Sequence, residues 1–156
     1  MKYTIKPVEK KDLSVIIDLI TELAIYEKAP KEVTLTLDEL ERDTFGPQKM
    51  IDIIIAESED GIIDGMALFY TAYSSWKGRC LYLEDIIVRE NKRGQGIGKL
   101  LFEKVISIAK ERKSKRMMWQ VLSWNSPAID FYKKYNAELS SEWLNGRFHE
   151  IQLTEF

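Results

Sequence analysis

The spacing of apolar residues changes period several times along the chain. In Met1–Val8, Tyr3 and Ile5 alternate with other positions, which predicts a short strand. Leu13, Ile16, Ile17, Ile20, Leu23 and Ala24 then recur at helical intervals, with Asp12 placed to cap the helix they predict. Thr36-Leu37-Asp38-Glu39 has capping-box spacing and opens a second short helix, through about Phe45, which Gly46-Pro47 stops. Met50–Glu57 is apolar and β-branched, a strand. After the turn at Ser58-Glu59-Asp60-Gly61 comes a longer strand, Ile62–Tyr73, in which Gly65 marks a possible bulge. Arg79–Arg89 predicts another strand, and a Gly-rich loop follows it. Ile97, Leu100, Leu101, Val105, Ile108 and Ala109 form a second helical stripe. Arg116–Leu122 reads as a strand, and Ser126-Pro127 opens a short helix through about Tyr135. Ala137–Phe156 predicts two more strands joined by a hairpin at Asn145-Gly146.

The resulting order is β-α-α-β-β-β-α-β-α-β-β. Antiparallel strands precede a βαβ crossover, so the fold class is α+β (mixed α/β). No repeat or linker divides the 156 residues, and a single domain over 1–156 is expected. One cysteine, Cys80, excludes an internal disulfide framework, and with one histidine, His149, it excludes a His/Cys zinc cluster within one chain. No metal is expected. The N-terminus lacks a signal-peptide pattern and no stretch is long and apolar enough for a membrane span, so a cytoplasmic protein without membrane association is expected. The net charge of −2 argues against a nucleic-acid partner. That charge is uneven: residues 1–78 hold 9 Lys/Arg and 15 Asp/Glu, and residues 79–156 hold 14 and 10. An acidic half and a basic half suit a cationic and an anionic ligand respectively, although scattered solvated charge would look the same in either half alone.

The loop Lys92-Arg93-Gly94-Gln95-Gly96-Ile97-Gly98 lies between a predicted strand and a predicted helix. Glycines there let the backbone approach a ligand, and amides at the helix start can point at an anion, so a phosphate or pyrophosphate is the natural guest. The P-loop pattern fails, because only three residues separate Gly94 from Gly98 and Lys99 is followed by Leu100. The dinucleotide fingerprint fails as well, being one residue short and late in the chain. The pattern Arg/Gln-x-x-Gly-x-Gly/Ala is met by Arg93, Gly96 and Gly98.

That loop resembles the pyrophosphate loop of the GNAT superfamily of N-acetyltransferases, and the predicted element order is similar along nearly the whole chain. Glu22-Leu23-Ala24-x-Tyr26-Glu27, Phe45-Gly46, Tyr82-Leu83-Glu84-Asp85-Ile86-x-Val88, Trp124-Asn125-x-Pro127 and Phe131-Tyr132-Lys133 resemble the spermidine/spermine (diamine) and thialysine acetyltransferase branch. The resemblance implies a mixed, mostly antiparallel sheet of about seven strands flanked by about four helices. It also implies acetyl-CoA as cosubstrate, acetyl transfer to a primary amine of a polyamine, diamine or lysine-like molecule, and a homodimer.

Glu84 and Asp85 are adjacent carboxylates in an otherwise apolar strand, where an unpaired charge is costly. Alternation would send Tyr82, Glu84, Ile86 and Val88 to one face and Leu83, Asp85 and Ile87 to the other. For Asp85 a structural role, capping or pairing with a neighbouring Arg, is expected. An alkylamine arrives protonated, with a pKa of about 10, so a carboxylate must take its proton before it can attack. The resemblance implies that Glu84 is this base and that Tyr132 is the acid that protonates the leaving thiolate, with Tyr135 a neighbour one turn on. It further implies cofactor contacts from Ile86, Ile87, Val88, Arg93, Gly94, Gln95, Gly96, Ile97, Gly98, Lys99, Asn125, Ser126, Pro127 and Ala128. Amine contacts are implied for Tyr26, Glu27, Trp76, Glu84 and Glu142. The same loop would serve an acetyltransferase of another acceptor, such as a protein amino group or an antibiotic amine, or a non-catalytic acyl-CoA sensor.

Overall fold

The first five strands predicted from alternation and β-branching pair in the order in which they occur. A computed structural model describes residues 2–155, so Met1 and Phe156, the outer ends of the first and last predicted strands, lie outside the described residues. Two compact units, Met1–Gln120 and Val121–Phe156, make up the chain.

The first unit carries a five-stranded sheet in the order β1-β2-β3-β4-β5: β1 Tyr3–Pro7, β2 Asp52–Ser58, β3 Ile63–Ser74, β4 Gly78–Val88 and β5 Met117–Met118. The first four strands are antiparallel, and β5 runs parallel to β4 after a crossover through α3, Ile97–Glu111. The apolar stripe of α1, Leu13–Tyr26, buries Leu13, Ile16 and Leu19. With Leu40 of α2, Leu37–Phe45, they form a core against Ile53, Ile55, Met66, Leu68 and Ile87. Removing each such side chain from water contributes about 1.5–3 kcal/mol. On α3 the buried stripe is Ile97, Leu101, Phe102, Val105 and Ala109, and this helix packs on β3 and β4. Gly65 permits that approach: a Cβ there would stand 2.8 Å from the Ile87 carbonyl oxygen and 3.2 Å from Leu101 Cδ1. The β2–β3 register shifts beside it, with Ala56 opposite Gly65 and Glu57 opposite Ile63, so the extra residue is Asp64.

The predicted capping box forms: the Glu39 N–H donates to Thr36 Oγ1 (3.3 Å) and the Thr36 N–H to Glu39 Oε2 (2.9 Å). Asp12 holds the N-cap position of α1 but does not cap it, because its carboxylate accepts the Glu9 N–H at 3.0 Å from the preceding 3-10 turn.

In β4 the expected alternation is broken. Leu68 lies opposite Asp85 and its neighbour Phe69 lies opposite Leu83, so Glu84 is an extra residue without a ladder partner. Directly opposed residues share a face. The bulge therefore groups Tyr82, Asp85 and Ile87 with Tyr70, Leu68 and Met66, on the α1 side. Leu83, Ile86 and Val88 instead accompany Phe69, Ala67 and Gly65. The prediction that Asp85 sits with Leu83, away from Tyr82, is corrected by this one-residue insertion.

The second unit contains α4, Ser126–Lys133, and α5, Glu150–Leu153. Left-handed Asn136 (φ 56°) follows α4, and the Tyr135 N–H closes back on the Tyr132 carbonyl at 3.0 Å. The two strands expected in Ala137–Phe156 do not form: among the described residues the sheet has five strands rather than about seven. A strand needs a partner edge for its amides and a face to bury, and Leu139, Trp143, Leu144 and Phe148 all stand exposed. Locally a different signal wins, since the His149 N–H donates to Gln152 Oε1 (3.0 Å) and opens α5.

Because Ile16 is fully buried in the α1 core, Ile16→Ala is expected to destabilise the chain by about 2–5 kcal/mol, read from urea unfolding followed by circular dichroism.

Candidate active site

The glycine loop owes its path to two left-handed residues. Gly94 (φ 75°) and Gly96 (φ 85°) adopt a backbone that L side chains rarely enter, and a Cβ at either would touch nothing within 4 Å. Glycine is thus required there by conformation. Gly98 is different, since a Cβ there would make only ordinary contact, 3.8 Å, with Val88 Cγ2. Gly96 is the N-cap of α3 and offers no side chain to cap it. The amides of Ile97, Gly98 and Lys99 therefore begin a helix without internal acceptors, a donor set suited to phosphate oxygens. Arg93 adds charge beside it. Its Nε–H donates to the Val88 carbonyl (3.1 Å), and its guanidinium lies 4.7 Å from the ring centroid of Tyr26, at the end of α1. The donor set and the bare backbone fit a pyrophosphate.

Behind the loop is an ionic brace. Asp64, 1% exposed, accepts the Tyr3 hydroxyl at 2.7 Å and lies 3.5 Å from Lys92 Nζ. The hydrogen bond to Asp64, with burial and the carboxylate's charge, pushes the Tyr3 phenol up to about 12. Arg89 donates from Nε to the Ile63 carbonyl (3.2 Å), donates its backbone N–H to the Asp64 carbonyl (2.9 Å) and pairs with Glu22 of α1.

The bulge sets out the carboxylates. Glu84 is exposed, and its Oε2 accepts the Tyr70 hydroxyl at 3.4 Å. The Tyr70 ring stacks on Tyr82 with centroids 5.3 Å apart. Burial, followed by the Glu84 charge, raises both phenols. Asp85 is half-buried, and burial first, then the charges of Glu84 and Glu27, push its carboxyl up to about 6. Burial also raises Glu27, which follows Tyr26 at the end of α1. The expected Arg partner for Asp85 is absent among the described residues: Arg89 is engaged by Glu22, and Arg93 by Val88 and Tyr26. Trp76, 81% exposed, occupies the β3–β4 turn, where its backbone N–H donates to Ser74 Oγ at 3.3 Å. Ile87 faces the α1 core, whereas Ile86 and Val88 take the α3 side. Tyr70 and Asp64 were not among the residues expected at the site; nothing local in the sequence marks either, because one is placed by cross-strand register and the other by a bulge.

In the second unit, Asn125 caps α4 by accepting the Ala128 N–H at its Oδ1 (3.3 Å), and Pro127 follows Ser126 in the first turn. Tyr132 is buried, and the Phe131 ring lies 5.4 Å from its ring and 5.4 Å from that of Tyr135. Glu142 is exposed in the irregular stretch, its N–H donating to Ser140 Oγ at 3.3 Å.

A mixed sheet with a bulged fourth strand, feeding an uncapped helix through left-handed glycines, defines a protein built to hold a phosphate-bearing donor. The Acetyltransferase (GNAT) family description matches residues 16–137, and the chain belongs to that family of N-acetyltransferases. Acetyltransferases of this family use acetyl-CoA. The chain is 36% identical over 141 residues to thialysine N-epsilon-acetyltransferase of Bos taurus, covering 86% of this chain and 83% of that protein. It is 34% identical to spermidine/spermine N(1)-acetyltransferase-like protein 1 of Homo sapiens, covering 98% of this chain and 23% of that one. Among solved structures, an integron cassette protein of V. cholerae matches with a TM-score of 0.78 at 26% identity, covering 99% of this chain and 97% of that one. An aminoglycoside acetyltransferase from a soil metagenomic sample, in complex with sisomicin, shares the fold, with a TM-score of 0.76 at 19% identity over 94% of this chain and 95% of that one. No helix among the described residues is long and apolar enough to cross a membrane.

The raised Asp85 carboxyl has a consequence for stability. Its folded pKa, about 6, exceeds the ordinary carboxylate value, so the folded state binds the proton more tightly and loses stability as pH rises through that interval. Asp85→Asn is expected to stabilise the fold at pH 7.5 by on the order of 1–3 kcal/mol, the gain vanishing below about pH 4. Thermal unfolding midpoints at the two pH values check this.

Proposed function

We propose that this N-acetyltransferase moves the acetyl group of acetyl-CoA directly to a primary amine of a small polyamine, diamine or lysine-like molecule. The observation that carries the reading is the face of β4 on which Glu84 and Asp85 stand with Glu27, with no basic partner among the described residues, on the strand that leads into the glycine loop. Such a surface suits an ammonium group, and the same strand continues toward the anion-binding amides of α3. The names of the thialysine and spermidine/spermine relatives support the same substrate class. The family match at residues 16–137 supports treating the two units as one acetyltransferase domain.

In this reading Arg93, Gly94, Gln95, Gly96, Ile97, Gly98 and Lys99 hold the pyrophosphate through backbone amides and local positive charge. Backbone groups of Ile86, Ile87 and Val88, with Asn125, Ser126, Pro127 and Ala128, line the pantetheine arm. An amide N–H on that strand polarises the thioester carbonyl. Tyr26, Glu27, Trp76, Glu84 and Glu142 receive the amine. Glu84 engages the ammonium and draws off its proton, and the freed lone pair attacks the thioester carbon. The C–S bond then breaks, the thiolate takes a proton from Tyr132, and the second proton lost from the acylated nitrogen restores the phenol; an ordinary phenol, at about 10, is a matched donor to a thiolate with a pKa of about 8.5.

We further propose a homodimer. Trp143, Leu144, Phe148, Ile151 and Leu153 are 62–96% exposed in the second unit, an unusual concentration of apolar surface for an isolated chain. Light scattering is expected to report twice the chain mass; a monomer at micromolar concentration overturns this.

With acetyl-CoA and a panel of spermidine, putrescine, thialysine, lysine and an aminoglycoside, thiol release is expected with at least one of the small di- or polyamines or thialysine. Silence with all of these overturns the substrate class. Tyr132→Phe is expected to lower kcat by about 100-fold while acetyl-CoA binding, measured by calorimetry, is retained. Full activity in that variant removes Tyr132 from the mechanism.

A further inference from the structure

If Glu84 alone accepts the amine's proton, Asp85 has no role, and yet the fold keeps it at a cost. The β4 ladder makes Glu84 the unpaired residue and sets Asp85 opposite Leu68, so Asp85 shares the face of Tyr82 and Tyr70. Glu84 reaches that same face, where Tyr70 Oη donates to it at 3.4 Å. Two carboxylates that regular alternation would separate are thereby turned to one side. They differ in exposure, Glu84 standing in solvent and Asp85 half-buried behind it.

The groups that surround Asp85 in the sheet and at the end of α1 are carboxylates, phenols and apolar side chains. From β4 they are Glu84 and Tyr82; from β3, Leu68 directly opposite and Tyr70 beyond it; from the end of α1, Glu27; and from β5, Met118 beside Tyr82. The cations of that region are committed, Arg89 to Glu22 and the Ile63 carbonyl, Arg93 to the Val88 carbonyl and the Tyr26 ring. A proton placed on Asp85 removes a negative charge from a crowded set, whereas one left on Glu84 stays where solvent and substrate compete for it.

We propose that Asp85 is the second carboxylate of the base: Glu84 takes the proton from the substrate ammonium and Asp85 keeps it during acetyl transfer. This inference rests on the amine-acetyltransferase reading above. One N–H bond of the ammonium breaks with its electron pair staying on nitrogen, and an O–H bond forms on Glu84. That proton passes to an Asp85 oxygen, which restores the Glu84 carboxylate. The amine lone pair forms the C–N bond to the acetyl carbon, and the C–S pair leaves on sulfur, which is protonated by Tyr132. The nitrogen, acidified by the new C–N bond, gives up its second proton, which restores the Tyr132 phenol by way of solvent; the Asp85 proton also goes to solvent, so one ammonium and one thioester yield one amide, one thiol and one proton. Burial and the adjacent charges support the assignment, because a carboxyl at about 6 holds a proton about 100-fold more tightly than one near 4.

The test is the pH dependence of kcat and kcat/KM between pH 4.5 and 9, with spermidine, putrescine or thialysine, whichever the wild-type chain turns over fastest. Asp85→Asn is expected to lower kcat by about 10–100-fold, to leave the amine KM within about threefold, and to move the acidic limb of kcat down by at least one pH unit. Asp85→Glu, which restores a carboxylate, is expected to recover the limb and a substantial part of kcat. The thermal midpoint of the Asn variant at pH 7.5 is expected to equal or exceed that of wild type. An Asn variant with wild-type kcat and an unmoved limb overturns the proposal. So does a lowered midpoint shared by the Asn and Glu variants with an unshifted limb, which marks a structural residue. A wild-type chain inert toward every amine in the panel overturns the amine reading itself, and this inference with it; that outcome is distinct because it is seen before any variant is made.

Discussion

One unpaired residue in the fourth strand organises the acidic side of this molecule. A β-sheet has two faces, and a strand that keeps its register must divide consecutive residues between them. The insertion at Glu84 breaks that rule between Leu83 and Asp85, so the strand buries Leu81 and Leu83 with one layer and Ile87 with the other. Both layers keep an apolar core, and the exchange point is occupied by two carboxylates. Bulges re-aim side chains without altering the fold around them, and here the redirected groups are two carboxylates.

The glycine loop continues the same logic with backbone in place of side chains. Gly94 and Gly96 turn the chain so that α3 starts without a cap. Its first amides then hold no internal bond and are available to an anion at no reorganisation cost. About a dozen residues separate the bulge at Glu84 from the start of α3 at Ile97, so one segment presents negative charge at one end and hydrogen-bond donors at the other. Opposite charge preferences are thereby built into the two ends of that segment.

Much of this was legible in the residues. The α1 helix, the Thr36–Glu39 capping box and the glycine turn are local signals, set by intervals along a single segment, and each forms where those intervals place it, although the buried face of α1 centres on Leu13, Ile16 and Leu19, with Ile17, Ile20, Leu23 and Ala24 only partly buried. The bulge was not legible, because register is a property of two strands together and neither Glu84 nor Asp85 is a residue that bulges demand. The hairpin expected around Asn145-Gly146 failed for a related reason. Turn chemistry and alternation propose strands, but the ladder also needs an edge, and residues 137–148 form no ladder among those described. His149 and Gln152, a local pair, instead set the start of a short helix.

The Asp64 brace ties the opening strand to the segment that enters the glycine loop. Its carboxylate, almost wholly shielded from water, is shared by the phenol of Tyr3 and the ammonium of Lys92, the residue just before Arg93. Anything that detaches the amino-terminal strand strips one donor from a charge that cannot be rehydrated in place. The loss is then felt at a loop some ninety positions further along the chain, so the opening strand is a remote handle on the placement of Lys92 and the glycine turn after it.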